Sequence, residues 1–246
     1  YEDGAFVREY YISNHDQDNP KRVGFAFEHL QNITFDGQGS EFIFHGRMIP
    51  FALLNGKNIT LKNFSVDFAV PALQVLDVNR ARNETKAAIY PSGYYRIEDG
   101  RLVLSGEGFE IVPTFAMPFA SDKRLAYKRQ DVGFRPESVT EISPDTFLIK
   151  GWDQTAYTTH GERFVLRSGH RPTPGIFVSE CINTTLENIR IRYAEGMGLL
   201  AQMSKNIILD RFSVCLRSDD DPRFFTTQAD ATHFSGCKGV IVSKNG

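Results

Sequence analysis

INTTLENIRI (Ile182–Ile191) and KNIILDRFSV (Lys205–Val214) are two copies of one pattern. Each copy has Asn at its start, continues as a short apolar strand, and is followed after a polar corner by a second short strand. Further copies start at Gln31, Lys57 and, in part, Lys238. Internal repetition of this kind is typical of solenoid proteins, whose repeats stack on one another.

The spacing of the copies predicts the architecture. Asn32 and Asn58, and likewise Asn183 and Asn206, are separated by about 25 residues, which is a solenoid period. We therefore predict an all-β fold, a right-handed parallel β-helix in which each coil lies ~4.8 Å from the previous one.

Asparagine suits the corner of such a coil for two reasons. It tolerates left-handed backbone angles, and its side-chain amide can bond to equivalent amides above and below. The asparagines that match the glycosylation sequence Asn-x-Ser/Thr are Asn32, Asn58, Asn63, Asn83 and Asn183. Because four of these five lie inside the repeat, we favour a stacked ladder, with glycosylation as the alternative.

The repeat disappears in the middle of the chain. Turn signals there recur at intervals of roughly ten residues, which predicts a small antiparallel barrel or sandwich. Glu98–Asp99–Gly100 between two alternating runs is a strong hairpin signal. We predict first coils over residues 1–70, an inserted antiparallel β-barrel domain over 71–172, and further coils over 173–246.

The composition narrows the functional classes. The 246 residues are 41% hydrophobic and 24% charged, with a formal net charge of −2. This balance gives no reason to expect nucleic acid or an anionic membrane as a partner. No apolar run approaches the roughly 20 residues that a membrane span needs, and no signal peptide is visible. Because the chain stops inside a repeat, we expect it to be a piece of a longer protein. Its oligomeric state is left open.

The cysteines lie within the repeat. Cys181 and Cys237 occupy equivalent places in their copies, and Ser204 has that place in the copy between them. Two coil spacings are roughly 9.6 Å, beyond the roughly 7 Å that a disulfide allows between Cα atoms. We predict that these two cysteines are not bridged. An odd total of three, without metal-site spacing, leaves the redox compartment open.

Asp230 is the strongest candidate for a catalytic residue. Strict alternation through Thr227–Phe234 places Asp230 and Thr232 on one face of a strand and His233 on the other. An aspartate between two alanines on an interior strand is costly unless it is paired or reaches a cleft. The alternative is a carboxylate that accepts backbone amide hydrogen bonds at a corner.

Other polar residues are candidates for substrate binding beside Asp230. Thr232 and His233 lie in the same stretch as Asp230. The His233 imidazole and the Asp230 carboxylate can line one pocket only if a bulge or corner intervenes. Arg223 is suited to a carboxylate or sugar hydroxyl, and a structural ion pair with the run Asp219–Asp221 is equally compatible. Glu195 interrupts a small-residue stretch where a backbone can approach a ligand, or it is a hydrogen-bonded corner residue.

Several catalytic motifs are absent from the sequence. There is no Gly-x-Ser-x-Gly, no phosphate-binding glycine-rich loop, no His-Glu-x-x-His and no Cys-x-x-Cys. Acyl transfer, nucleotide chemistry and zinc hydrolysis therefore have no local support, and we predict neither a cofactor nor a metal. Trp152, the only Trp, is compatible either with stacking on a sugar or with a barrel core.

The last third of the chain carries a family resemblance. ADATHFSGCKG (Ala229–Gly239), preceded by RFFTT (Arg223–Thr227), resembles glycoside hydrolase family 110, the bacterial α-1,3-galactosidases. YAEGMGLLAQ (Tyr193–Gln202) and IFHGRMIPF (Ile43–Phe51) support it. The resemblance is looser in the middle of the chain.

The resemblance implies an exo-acting, inverting, metal-independent enzyme that removes terminal α-1,3-linked galactose, including from blood-group-B-type glycans. It implies a parallel β-helix with barrel insertions, and a secreted or periplasmic bacterial protein. Of the acidic residues around the family's galactose site, Asp230 is the match in this chain. The others form an adjacent Asp pair that we expect one coil further on.

Two other functions compete with this hypothesis. One is a β-helix polygalacturonase or lyase, which would require a basic groove that the balanced charge does not favour. The other is a non-catalytic β-helix adhesin that only holds glycans. An Asp-Asp pair in the next coil would favour hydrolysis over binding alone.

Overall fold

The computed structural model describes residues 1–81, 84–119, 132–152 and 162–244. Apart from one short 3-10 turn at Glu2–Gly4, its regular elements are β-strands, which confirms the all-β prediction. The chain divides into two compact units. Unit 1 comprises Tyr1–Ala69, His170–Asp219 and Thr226–Gly246, and unit 2 comprises Val70–Gly169 and Asp220–Phe225.

The breaks between the two units are at 69/70 and 169/170, and unit 2 also includes Asp220–Phe225. The boundaries predicted from the sequence are 70/71 and 172/173, with Asp220–Phe225 inside the last segment.

Unit 1 contains two sheets, and strands are numbered in chain order. Sheet A has the order β1-β2-β4-β16-β18-β20, and sheet B has the order β21-β19-β17-β5-β3. The strands of sheet A are β1 Phe6–Arg8, β2 Lys21–Glu28, β4 Ile49–Leu54, β16 Ile176–Ser179, β18 Leu199–Gln202 and β20 Thr232–Ser235. Those of sheet B are β3 Gln31–Phe44, β5 Lys57–Phe68, β17 Ile182–Ile191, β19 Lys205–Val214 and β21 Lys238–Ser243. All pairings are parallel except that of β1 with β2.

The predicted asparagine ladder is confirmed. Asn58 Nδ2 donates to Asn32 Oδ1 at 2.8 Å, Asn183 Nδ2 to Asn58 Oδ1 at 2.7 Å, and Asn206 Nδ2 to Asn183 Oδ1 at 2.9 Å. All four have a positive φ of 54–58°. A second ladder joins Asn188 to Asn63 and Asn63 to Asp36. Asn83 lies outside the described residues.

The cysteine positions stack in the predicted order. Ile182, Lys205 and Lys238 are in register, so the residues that precede them form one column. In this column the Cys181 N–H donates to Ser204 Oγ at 3.0 Å. Cys181 and Cys237 are both free thiols.

Strands β2 to β5 share an aromatic cluster. Phe51 stacks on Phe25 and on Phe64, with ring centroids 4.8 and 4.7 Å apart. Phe35 and Phe42 meet the Phe51 ring edge to face. Such rings bury large apolar surfaces and favour these geometries, so the cluster packs the two sheets of unit 1 together at their first strands.

Unit 2 is antiparallel. Sheet C has the order β12-β11-β15-β6-β7-β14-β13 and sheet D the order β10-β9-β8. Sheet C contains β6 Gln74–Ala81, β7 Glu84–Tyr90, β11 Phe115–Phe119, β12 Val132–Gly133, β13 Ser138–Ser143, β14 Thr146–Lys150 and β15 Glu162–Arg167; sheet D contains β8 Tyr95–Glu98, β9 Arg101–Gly106 and β10 Phe109–Ile111. The predicted hairpin is present, because Glu98 pairs with Arg101 across Asp99–Gly100 and both turn residues have positive φ. Trp152 is a core residue, 5% exposed.

Candidate functional site

Asp230 lies just before β20 and is not part of a strand. The predicted alternation through Thr227–Phe234 is wrong for its first half, because β20 begins only at Thr232. Thr227 makes one isolated parallel bridge to Ala194, and the chain then bends before it joins the sheet. The parity that placed His233 on the opposite face from Asp230 therefore does not apply.

The bend brings the two side chains together. Asp230 Oδ2 lies 2.8 Å from His233 Nδ1. The Asp230 side chain is 59% exposed and that of His233 is 28% exposed. The carboxylate is thus open to solvent while its orientation is restrained by a half-buried ring. Asp230 Oδ1 has no hydrogen-bond partner within the described ranges.

A residue near the start of the chain completes the arrangement. Asn14 Nδ2 lies 3.0 Å from His233 Nε2. An amide nitrogen only donates hydrogen bonds, so Nε2 is the acceptor and Nδ1 carries the proton that is donated to Asp230. Asn14 has a φ of 56°, a left-handed conformation that asparagine tolerates. The result is a directed chain of hydrogen bonds from Asn14 through His233 to Asp230.

Asn14 is held by the N-terminal arm, which we define as residues 10–19. The Ser13 N–H donates to Gln202 Oε1 at 2.9 Å, and Gln202 Nε2 donates to the Tyr11 carbonyl at 2.9 Å. These two bonds pin the arm to the end of β18. Since β18 pairs with β20, the arm and His233 share one support.

His15 anchors the arm from the other side. Its Nδ1 donates to the Ser13 carbonyl at 3.1 Å, and its Nε2 accepts a hydrogen bond from the Met197 N–H at 3.2 Å. Burial lowers the pKa of His15, and this favours the neutral ring that the acceptor role requires. A Cβ on Gly196 would lie 2.4 Å from His15 Nε2, so only glycine leaves room for the ring.

Glu195 forms a buried ion pair. Arg47 Nε and Nη2 donate to its two carboxylate oxygens at 2.8 and 2.6 Å. The Glu195 side chain is 8% exposed and that of Arg47 is 29% exposed. Burial raises the pKa of Glu195, and the Arg47 guanidinium opposes that rise. Of the two alternatives for Glu195, the structure matches the hydrogen-bonded corner residue.

Glu195 belongs to a column of equivalent positions. Phe51, Ile176, Leu199 and Thr232 are paired in sequence across sheet A. The residues four places before them are Arg47, Pro172, Glu195 and Gln228. Gln228 is 8% exposed, and its Nε2 donates to the His170 carbonyl. Three of the four positions thus carry polar side chains, and the last of them, Gln228, lies two residues before Asp230.

Arg223 is buried in an ion pair, whereas Thr232 is exposed. Arg223 is 7% exposed and binds Asp221 through Nε and Nη2 at 3.2 and 3.0 Å. This is the ion-pair alternative, and Asp221 is buried as well. Both residues belong to unit 2. Thr232 is exposed at the first position of β20, two residues from Asp230.

Sequence reasoning did not identify Asn14, His15 or Arg47 as site residues. Asn14 and His233 are 219 residues apart, and no local pattern links them. Arg47 had one signal, because it lies within the segment Ile43–Phe51 that supported the family resemblance. The described ranges contain no group of three or more His, Cys, Asp or Glu side chains placed to hold a metal. They also contain no helix long and apolar enough to cross a membrane.

The chemistry of the arrangement is that of an oriented carboxylate. An exposed aspartate can exchange a proton with water or with a ligand hydroxyl through its free oxygen. The His233 hydrogen bond fixes the position of that oxygen. The site is thus suited to acid–base chemistry on a hydroxyl-rich ligand.

The chain is similar to known proteins over its whole length. Residues 72–162 match the family described as GLAA-B beta-barrel domain I. The chain is 50% identical to alpha-1,3-galactosidase B of Parabacteroides distasonis over 100% of its length and 41% of that protein. It is 49% identical to alpha-1,3-galactosidase B of Phocaeicola vulgatus, covering 42% of it, and 36% identical to alpha-1,3-galactosidase A of Shewanella woodyi, covering 40%. The chain thus spans about two fifths of the length of these curated relatives.

Proposed function

Because this chain belongs to the α-1,3-galactosidase family, glycoside hydrolase family 110, we propose that it is part of an exo-acting, inverting enzyme that removes terminal α-1,3-linked galactose from glycans. Its substrates are blood-group-B-type or linear α-galactosides. We further propose that unit 1 supplies coils of a right-handed parallel β-helix, supported by its two sheets, in which every pairing except that of β1 with β2 is parallel. A secreted or periplasmic location is part of the same proposal.

The observation that carries the proposal is the exposed, oriented Asp230 carboxylate. Had its side chain been buried and satisfied by main-chain amides, it could not have acted on a substrate. Instead its Oδ2 accepts the His233 hydrogen bond at 2.8 Å, and its Oδ1 has no hydrogen-bond partner among the described residues. In this proposal Asp230 is one of the carboxylates around the reacting galactose.

Inversion requires two carboxyl groups with different roles. One protonates the leaving oxygen and the other activates a water, with about 6.5–9.5 Å between them. We assign Asp230 the role of base, because an ionised carboxylate accepts the His233 proton donor and keeps one oxygen for the attacking water. The acid then comes from the following coil, since one coil spacing of ~4.8 Å plus a corner offset reaches the required range.

The positioning role falls to His233 and Asn14. In the proposed enzyme His233 does not touch the reacting atoms; it holds Asp230 at the orientation that water attack needs. Asn14 sets the His233 tautomer, so the N-terminal arm contributes to the site although it is far away in sequence.

The test uses the full-length protein and the disaccharide α-galactosyl-1,3-galactose. We expect release of galactose, and proton NMR at early times should show the β-anomer first. Initial release of the α-anomer would contradict inversion while leaving the galactosidase proposal standing. Binding of the disaccharide without any release would contradict hydrolysis and favour a glycan-binding protein.

A further inference from the structure

Unit 2 has a cavity of about 400 Å³ on the outer face of strands β6 and β7. Its lining comes from β6, β7, β15 and the segment Asp220–Phe225, all of which belong to unit 2. Residues alternate between buried and exposed along β7, so its outward side chains define the cavity floor. A pocket of 300–1,000 Å³ is in the range that small ligands occupy.

One outward residue of the cavity lining is small. Asp77 of β6 pairs with Ala88 of β7 and with Arg163 of β15, so these three residues form one row across the sheet. Tyr90, two residues further along β7, lies in the next outward row, where it pairs with Val75. A larger side chain at position 88 would project into the cavity between these two rows.

The segment Asp220–Phe225 forms a second wall of the cavity, beside the floor made by β6 and β7. Phe224 packs under the Arg163 guanidinium, whose central carbon lies 4.3 Å from the ring centroid. Arg163 Nε also donates to Asp77 Oδ2 at 3.3 Å. The guanidinium is thereby fixed in orientation, with Pro222 and Asp220 beside it in the cavity lining.

The chemistry of the lining is mixed. Tyr90 is 40% exposed and offers an aromatic face. Asp220 makes no hydrogen bond or ion pair with any residue that the structure describes, and Asp77 keeps acceptor capacity beyond its bond to Arg163. One cation against two carboxylates leaves the cavity with a net negative charge, which disfavours anionic ligands. Aromatic surface combined with several acceptors and a fixed donor suits a neutral, hydroxyl-rich ring.

We propose that this cavity is a second carbohydrate-binding site, which takes a neutral hexose residue of a glycan. The hexose places an apolar ring face on Tyr90 and its hydroxyls against Asp77, Asp220 and Arg163. The choice of a hexose as ligand rests on the proposed function, whereas the cavity itself does not. The hexose belongs either to the distal part of the glycan being hydrolysed or to a separate glycan chain.

The test compares variants of the full-length protein in an Asp230→Asn background, so that the probe survives. The probe is immobilised α-galactosyl-1,3-galactose, and the measurement is retention of the protein with free galactose as competitor. Tyr90→Ala removes the aromatic face, and Ala88→Phe fills the cavity from an exposed position. Tyr94→Ala is the matched control, because Tyr94 is 37% exposed in the same unit and does not line the cavity.

We expect Tyr90→Ala and Ala88→Phe each to weaken retention about tenfold relative to Tyr94→Ala, a change of about 1.4 kcal/mol in binding free energy. Equal retention of all three variants would overturn the proposal. Circular dichroism and thermal unfolding establish that each variant is folded.

Kinetics of the same variants with Asp230 intact identify the source of the hexose. If it belongs to the hydrolysed glycan, Tyr90→Ala raises the KM for a tetrasaccharide and leaves that for 4-nitrophenyl α-galactoside unchanged. If it belongs to a separate chain, both KM values are unchanged while retention falls. Absence of hydrolysis by the unmodified enzyme would contradict the proposed function. The retention comparison would still test whether the cavity binds a hexose.

Discussion

Arg47 binds Glu195 through two parallel hydrogen bonds of 2.8 and 2.6 Å, although 148 residues separate them in the chain. Two-point contact between a planar guanidinium and a carboxylate fixes both side chains. The pair joins the segment before β4 to the segment before β18 in unit 1. Residues far apart in the sequence therefore hold the column of positions that includes Gln228, two residues before Asp230.

We expect Arg47→Met to destabilise unit 1 by about 3–5 kcal/mol, because it leaves a buried carboxylate without its partner. Arg211→Met is the control, since Arg211 makes exposed pairs with Glu187 and Asp210 whose loss costs less than about 1 kcal/mol. Urea unfolding measures both. Equal costs would show that the Glu195 pair contributes no more than a surface contact.

Asp230→Asn should lower turnover of the full-length enzyme by about 10²–10⁴-fold, because the amide cannot accept the proton that the proposed base removes. The fold should be retained, since the Asp230 side chain is 59% exposed. Asp210→Asn is a matched control on the same unit. Near-normal turnover of Asp230→Asn on an α-1,3-galactoside would refute the assignment.

His233→Leu should lower kcat about 10- to 100-fold with little change in KM, since a hydrogen bond to a charged group contributes about 1.5–3 kcal/mol. His233→Asn should recover part of the loss, because its side-chain amide can still donate to Asp230. Asn14→Ala should also lower kcat with little change in KM, because the donor that sets the His233 tautomer is lost. A purely structural role predicts equal losses for the Leu and Asn variants of His233.

His15 makes stability depend on pH. Burial lowers its pKa from the ordinary value of 6.5. Above that value both the folded and the unfolded chain carry a neutral ring. Below it only the unfolded chain takes up the proton, so stability falls as the pH drops. Thermal unfolding at about pH 7.5 and at about pH 5, which lie above and below that value, should show a smaller decrease in stability for His15→Gln than for the exposed control His29→Asn.

Asn183 makes two contributions to the ladder. It donates to Asn58 and accepts from Asn206, and its φ is 58°. Asn183→Gly removes the hydrogen bonds and keeps the left-handed backbone accessible; Asn183→Ala removes both advantages. We expect Ala to be less stable than Gly by about 1–2 kcal/mol, the cost of a left-handed residue with a Cβ. Equal stability in denaturant titrations would show that the corner conformation has relaxed.

The repeated sequence pattern by itself predicts much of the local structure of unit 1. The asparagine corners, the strands that follow them and the order of Cys181, Ser204 and Cys237 are local consequences of a repeated pattern, because equivalent residues stack wherever equivalent strands pair. The Asp99–Gly100 hairpin was predictable for a similar reason, since its turn residues can adopt positive φ.

Only the tertiary structure decided the candidate site. Alternation could not reveal that the chain bends before β20, because the bend depends on hydrogen bonds from the Gly198 and Leu199 N–H groups to the carbonyls of Asp230 and Ala231. The partners Asn14 and Arg47 come from distant segments, and burial of Asp221 with Arg223 depends on unit 2. Neighbouring residues determine the backbone conformation, and the sequence therefore predicts it. The chemistry of the site arises from contacts between segments that are far apart in the sequence, and only the tertiary structure shows them.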